Sequence, residues 1–387
     1  MTVTAGEGFV AAGGHCGVKA GGLPDLAIVA TDDGAPVPAA AVFTSNKMTA
    51  APVVVSAQHL AATGGRAAAV VLNSGNANAA TGEQGEVDAE RMCARTADAL
   101  GCDRREVLVC STGLIGISLP IDVIEEGIGK VAALRSRDGG GDAAQAIMTT
   151  DTRRKEVVVD GGGFTVGGMA KGAAMLAPNM ATMLAVLTTD AAAEPAALKA
   201  ALVAGVENSF NALSVDGCTS TNDTVMLLAS GRAGAVDAAA FHAAVAEACA
   251  SLAAQMAGDA EGATKVVRVR IKGAASDAEA RRGARKVAES QLVKCSWYGN
   301  DPYWGRVASE LGSAGIHFEP GSLTVSYGGV TVAAGGVSVD HDETALATHM
   351  AGRELDLVAD LGLGTGEGVI LTNDLTHAYV DENMGTS

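Results

Sequence analysis

Apolar and polar positions alternate along the chain in strand-like and helix-like stretches. Arg66–Asn73 (RAAAVVLN) and Glu106–Ser111 (EVLVCS) are short, largely apolar runs closed by polar turns, as in buried strands. Between them, Glu86–Leu100 reads as a helix that ends at Gly101. Lys155–Asp160 and Phe164–Met169 flank Gly161–Gly163, which predicts a hairpin. In Asp237–Met256 the residues Phe241, Val245, Cys249, Leu252 and Met256 recur every three or four positions, along one face of a helix. Val267, Val269 and Ile271 alternate with Arg268, Arg270 and Lys272, the pattern of a half-buried strand. Ser276 with Glu279 predicts a capping box for the helix that follows. Ser322–Val332 alternates about Gly328-Gly329, a second hairpin. The glycine-rich stretch 138–141 reads as an exposed loop.

These elements give a mixed α/β fold. The 387 residues allow two or three domains, and a second domain is expected near the basic strand and helix at 265–290. The working boundaries are 1–270 and 271–387. An apolar fraction of 48% with 18% charged residues demands a compact core, which excludes disorder, collagen and coiled coil. With aromatics at 3%, that core must be built from Ala, Val, Leu and Met.

The net charge of −17 argues against nucleic acid and anionic membrane as partners, since both need clustered Lys and Arg. No apolar run approaches the roughly 18 residues of a spanning helix. The N-terminal MTVTAGEGF carries no early basic residue and no apolar core of a leader, and Lys19 is the first basic residue, so a cytoplasmic protein is expected. The cysteines (16, 93, 102, 110, 218, 249 and 295) form no C-x-x-C, so neither a zinc site nor a redox pair is suggested, and buried reduced thiols are expected. No H-E-x-x-H occurs, and no metal is expected.

Several standard sites are missing: no G-x-G-x-x-G, no P-loop and no G-x-S-x-G elbow. What remains are clusters of Gly, Thr, Ser and Asn at Thr44–Asn46, Asn73–Gly82, Ser111–Gly116, Thr149–Thr152, Lys171–Thr182 and Asp216–Thr224. One such cluster is more often a turn or a cap. Together they suit acyl transfer through a hydroxyl nucleophile. At Ser111-Thr112-Gly113 a strand stops at small residues, where a hydroxyl and backbone N–H groups can converge as an oxyanion hole requires. At Ala181-Thr182 no histidine base is near in sequence. If the chain were cut before Thr182, its own α-amine, with a pKa of ~8, could serve instead. The competing reading is a Thr buried on an apolar strand or helix.

Gly167–Asp190 (GGMAKGAAMLAPNMATMLAVLTTD) resembles the self-cleavage segment of the ornithine acetyltransferase family, the glutamate N-acetyltransferases of arginine biosynthesis. Further blocks resemble the same family in order: 73–82 (NSGNANAATG), 111–116 (STGLIG), 147–152 (IMTTDT), 216–224 (DGCTSTNDT), 258–265 (GDAEGATK), 301–306 (DPYWGR) and 374–383 (DLTHAYVDEN). The resemblance implies an αββα-type layered sandwich with a smaller C-terminal α/β domain. It also implies self-cleavage between Ala181 and Thr182 into an α chain 1–181 and a β chain 182–387, paired as α2β2. Thr182 would take acetyl from N2-acetyl-L-ornithine and pass it to L-glutamate, with Thr112 and Gly113 as the oxyanion hole. Thr149, Lys171, Thr182, Glu261, Asn383 and Ser387 would contact substrate. No cofactor is implied, and acetyl-CoA enters only as a candidate second acetyl donor.

The residue types agree with these roles. Lys171 can pair with a substrate carboxylate and Glu261 with an ammonium, against the plainer readings of a snorkelling lysine and a helix-end charge. Asn76 and Asn78 read as structural amides, and Cys110 and Cys218 as packing residues. The chain departs from the family pattern at Tyr303, where Asn is usual, and in a shorter tail without its aromatic, which bears on Ser387. Two other functions compete: a self-cleaved aminopeptidase or amidohydrolase with water as acceptor, and an inactive binding protein, which the intact Thr182, Lys171 and STG blocks oppose.

Overall fold

The structure, a computed structural model, describes residues 2–175 and 183–385. It divides into two compact units, Met1–Asn211 with Cys218–Met256, and Ala212–Gly217 with Ala257–Ser387.

In the first unit the strands are β1 (Phe9–Gly14), β2 (Leu26–Thr31), β3 (Val37–Phe43), β4 (Arg66–Ala67), β5 (Ala69–Asn76), β6 (Val107–Leu114), β7 (Lys155–Asp160), β8 (Thr165–Lys171) and β9 (Leu184–Ala192). After β10 (Leu213–Ser214), which belongs to the second unit, comes β11 (Thr224–Ala235). The helices are α1 (Ala51–Ala62), α2 (Gly82–Leu100), α3 (Ile121–Ala133), α4 (Gly140–Ala146), α5 (Pro195–Glu207) and α6 (Ala238–Ala257). One sheet runs β1-β2-β5-β6 and a second runs β4-β3-β11-β9-β8-β7.

The two sheets face each other across Phe9, Val29, Leu72 and Leu108 on one side and Met169, Val186, Met226 and Leu228 on the other. Outside the first sheet, Ile28, Val71 and Val109 pack on Met92 of α2 and on Ile124 and Ile128 of α3. Outside the second, Leu252 of α6 approaches Gly168 of β8, and α5 meets α6 where Gly205 faces Cys249. The order is helix, sheet, sheet, helix, as the resemblance implied. Small and aliphatic side chains fill both layers.

Periodicity located most elements. Phe241, Val245, Cys249, Leu252 and Met256 are all buried on α6. The hairpin at Gly161–Gly163 forms, with the Gly161 N–H donating to Phe164 O at 2.8 Å. Arg66–Asn73 does not stay in one sheet. Arg66 and Ala67 pair with β3, and from Ala69 the chain pairs with β2. Helix α2 starts before the predicted Glu86, because Asn78 Nδ2 donates to Gly85 O at 2.8 Å and ties the preceding turn to the first helical turn.

The expected exposed loop at 138–141 is corrected. Gly139 and Gly140 are buried at the start of α4. A Cβ on Gly139 would lie 1.9 Å from Ala11 O, so these glycines let the helix press on β1. The capping box is half formed. Ser276 Oγ accepts from the Glu279 N–H at 3.3 Å, but the Glu279 carboxylate binds the His317 N–H and ring instead.

The second unit adds β12 (Val266–Ala274), α7 (Asp277–Ala288), α8 (Gln291–Tyr298), α9 (Trp304–Gly312), β13 (Thr324–Tyr327), β14 (Val330–Ala334), β15 (Val337–Ser338), α10 (Glu343–Ala351), β16 (Glu354–Asp360), β17 (Gly366–Asn373) and α11 (His377–Glu382). Its sheet runs β10-β17-β12-β16-β13-β14-β15. Val267, Val269 and Ile271 point into a core with Ala280, Ala284 and Val287 of α7. The working boundary at 270/271 would fall inside β12, whose whole length lies in this unit.

Candidate active site

Parallel strands β5 and β6 carry two of the motif blocks to the same edge, with Gly75 opposite Gly113 and Asn76 opposite Thr112. Gly113 has φ +132°, and a Cβ there would lie 2.3 Å from the Gly75 carbonyl carbon, so only glycine lets the strand ends come this close. Asn222, from the 216–224 block, ties the segment down: its Nδ2 donates to Ala77 O at 2.6 Å and to Ser111 O at 2.9 Å. Asn76 Nδ2 donates to Ile117 O and Ser118 O at 3.2 and 3.1 Å, and its Oδ1 accepts from the Asn78 N–H at 2.8 Å. Both asparagines are structural amides, as expected.

Lys171 closes β8 and is 8% exposed. Its Nζ donates to Thr112 Oγ1 at 3.3 Å. Asp151 is buried within the electrostatic reach of Lys171. Its Oδ1 accepts from Lys155 Nζ at 2.6 Å and from the Gly172 N–H at 2.7 Å, and its Oδ2 accepts from the Thr149 N–H at 3.0 Å. Burial alone would raise the Asp151 carboxyl. The Lys171 and Lys155 ammoniums and the Gly172 N–H outweigh it and lower it to about 2. Lys19 lies in the same field: its stem passes Gly75 and its Nζ donates to Met148 O and Pro24 O. Burial lowers its pKa, and Lys171 lowers it further, against Asp25 and Asp151. Asp25 accepts the backbone N–H groups of Cys16, Gly17, Val18 and Lys19. Asp25, Asp151, Lys19 and Asn222 were not singled out in sequence, where only the clusters around Asp151 and Asn222 gave a signal.

Leu184, the first residue of β9, is the ladder partner of Lys171. Met183 before it is buried, and its carbonyl accepts from the Thr224 N–H at 3.0 Å. Ala181 and Thr182, which precede Met183 in sequence, lie outside the described residues, as does Ser387. The first unit thus brings together Thr112, Gly113, Thr149 and Lys171.

In the second unit Glu261, buried, accepts from Asn383 Nδ2 at 2.8 Å. The 258–265 and 374–383 blocks are bound to one another: Asp374 accepts from the Thr264 and Lys265 N–H groups at 3.0 and 2.9 Å, and Thr376 Oγ1 donates to Gly262 O at 2.7 Å. A cavity of about 140 Å³ beside Glu261 is also lined by Asp216, Lys294, Asp374 and Tyr379. Burial lowers Lys294 to about 8 against the pull of Asp216 and Asp374.

Tyr303 is exposed, with the Arg306 guanidinium 5.9 Å from its ring centre. Cys93, Cys110 and Cys249 are buried thiols; Cys218 and Cys295 are exposed, so Cys218 is not the packing residue expected. Among the described residues no group of His, Cys, Asp and Glu is placed to hold a metal, and no helix is long and apolar enough to cross a membrane.

The sequence profile of the ArgJ family matches residues 10–385. The chain is 48% identical over 388 residues to the arginine biosynthesis bifunctional protein ArgJ of Streptomyces coelicolor, covering 100% of both chains. A solved structure of arginine biosynthesis bifunctional protein ArgJ from Bacillus halodurans is 34% identical with TM-score 0.49, covering 51% of this chain and 95% of that one. Ornithine acetyltransferase from Mycobacterium tuberculosis, solved in complex with ornithine, is 42% identical with TM-score 0.42, covering 46% of this chain and 95% of that one.

Proposed function

The chain belongs to the ArgJ family, and on that premise we propose that it transfers acetyl from N2-acetyl-L-ornithine to L-glutamate through an acetyl-Thr182 intermediate. It is an acetyltransferase of arginine biosynthesis, and family membership sets aside water as the acceptor. The Thr182 hydroxyl attacks the acetyl carbonyl while the Thr182 α-amine, with an ordinary pKa of ~8, accepts the hydroxyl proton. The amide nitrogen of the donor takes that proton as the C–N bond breaks, and ornithine leaves. The neutral amine of glutamate then attacks acetyl-Thr182: a C–N bond forms, the ester C–O bond breaks, and the proton lost by that amine passes through the Thr182 α-amine to the threonine oxygen, restoring its hydroxyl.

The α-amine exists only once the Ala181–Thr182 bond is cut, so the chain processes itself into 1–181 and 182–387, which assemble as α2β2. The observation that carries this reading is the hydrogen bond from Lys171 Nζ to Thr112 Oγ1 at 3.3 Å, joining two motifs 59 residues apart. Because Thr112 Oγ1 accepts from an ammonium, its own proton is free to be donated to a developing oxyanion, and the cation strengthens that donation. Gly113 supplies backbone to the same hole. Thr149, Lys171, Glu261, Asn383 and Ser387 are the residues proposed to contact substrate. Acetyl-CoA is proposed as a second acetyl donor, consistent with the word bifunctional in the names of relatives. No cofactor is proposed, and the site of action is the cytoplasm.

The kinetic test is direct. Double-reciprocal plots against acetylornithine at several glutamate levels should be parallel, because one nucleophile serves two substrates in turn. Intersecting plots would mean transfer in a ternary complex and remove the Thr182 assignment.

A further inference from the structure

Asp151 lies in a cluster the sequence marks only as Thr-rich, and its carboxylate is committed on every side to parts of the candidate site. One oxygen accepts from Lys155 Nζ and the Gly172 N–H, the other from the Thr149 N–H. Lys155 is fully buried, so the pair is a fixed internal anchor and not a surface contact. We propose that Asp151 is a positioning residue for acetyl transfer: clamped by Lys155, it holds the Thr149 segment and the Lys171–Gly172 corner together, so that the Lys171 ammonium stands at Thr112. This rests on the reading that Thr112, Lys171 and Thr149 act on substrate.

The charged groups that face Asp151 are Lys155 on β7, Lys171 at the end of β8, and Lys19, whose own counter-ion is Asp25. The strong lowering of Asp151 keeps it an anion throughout any assay range. Its charge therefore offsets Lys171 at all working pH values. Removing it leaves the cations uncompensated, and the Thr182 α-amine, the base of the proposed mechanism whose deprotonation sets the rising limb of activity with pH, then gives up its proton more readily.

The test compares Asp151→Asn with the double variant Asp151→Asn/Lys155→Met, which removes both charges of the buried pair. Melting temperature, kcat and KM for acetylornithine, and the pH profile are read for each. In folded protein, kcat/KM should fall about tenfold to a hundredfold, as small misplacements of acting groups do. The rising limb of the pH profile should move to lower pH. The double variant should recover melting temperature but not kcat/KM. Wild-type kcat/KM with an unmoved limb in either folded variant overturns the proposal. So does failure of both variants to fold, which would assign Asp151 to fold maintenance alone. Thr112→Ala and Lys171→Met separate the two levels: normal kcat/KM in these overturns the underlying reading, whereas loss there with none at Asp151 overturns only the positioning role.

Discussion

Thr112 Oγ1 receives the Lys171 ammonium at one lone pair and keeps its proton to give. Thr112→Ala should therefore lower kcat on the order of 10²-fold while leaving the melting temperature nearly unchanged. A large stability loss with normal turnover in the surviving folded protein would instead make Thr112 a turn residue. Processing of the variant is checked first, since the same donors can assist cleavage. Asp151 makes a different claim, on acid stability. Its carboxyl is lowered in the fold to about 2, below an unfolded value of ~3.9. The resulting stability is fully present above pH ~4 and lost as pH falls through about 2. On the order of 2 kcal/mol should disappear across that window in urea unfolding, and this share of the loss should be missing in Asp151→Asn, leaving that of other lowered carboxyls such as Asp25. Thr112, Lys171 and Glu261 were legible as motif residues. Asp151 and Asn222 were not, because their roles lie in partners that only folding supplies: Lys155 and Gly172 for one, Ala77 and Ser111 for the other.

Elements with a clean period were legible in full. The face of α6 and the alternation of β12 follow from the spacing of aliphatic residues alone. Misreadings came where backbone meets backbone. Strand β4 leaves β5 to join another sheet at Ala68, a switch that no alternation of side chains encodes. Glycine is common in loops, so the stretch 138–141 reads as one, whereas in the structure its glycines clear space for α4 against β1. Gly139 has φ −74°, so alanine meets no backbone penalty, only the Ala11 carbonyl oxygen. Gly139→Ala should cost about 1–3 kcal/mol in urea unfolding by overpacking. Gly312→Ala, at the end of α9 with open space around its Cβ position, should change stability by less than about 1 kcal/mol in either direction. Equal effects at the two sites would contradict the close contact.

Over the whole molecule, the αββα layering and the smaller second unit could be expected from the family blocks, but the extent of the units could not. The second unit recruits Ala212–Gly217 from upstream, where Leu213 pairs with Leu371 in the β10–β17 ladder. A six-residue segment with two paired positions is too short to carry a period of its own. Acetyl transfer by the proposed route requires an acetyl-Thr182 intermediate on a self-cleaved chain. The measurement that bears on it most directly is intact mass and peptide mapping of active enzyme, rapidly quenched with acetylornithine and no glutamate. Two fragments, 1–181 and 182–387, should appear, with one acetyl group on Thr182 at the head of the second and none on the first. A single uncut chain in fully active enzyme, or two fragments with no trapped acetyl group, would rule out Thr182 as the acetyl carrier.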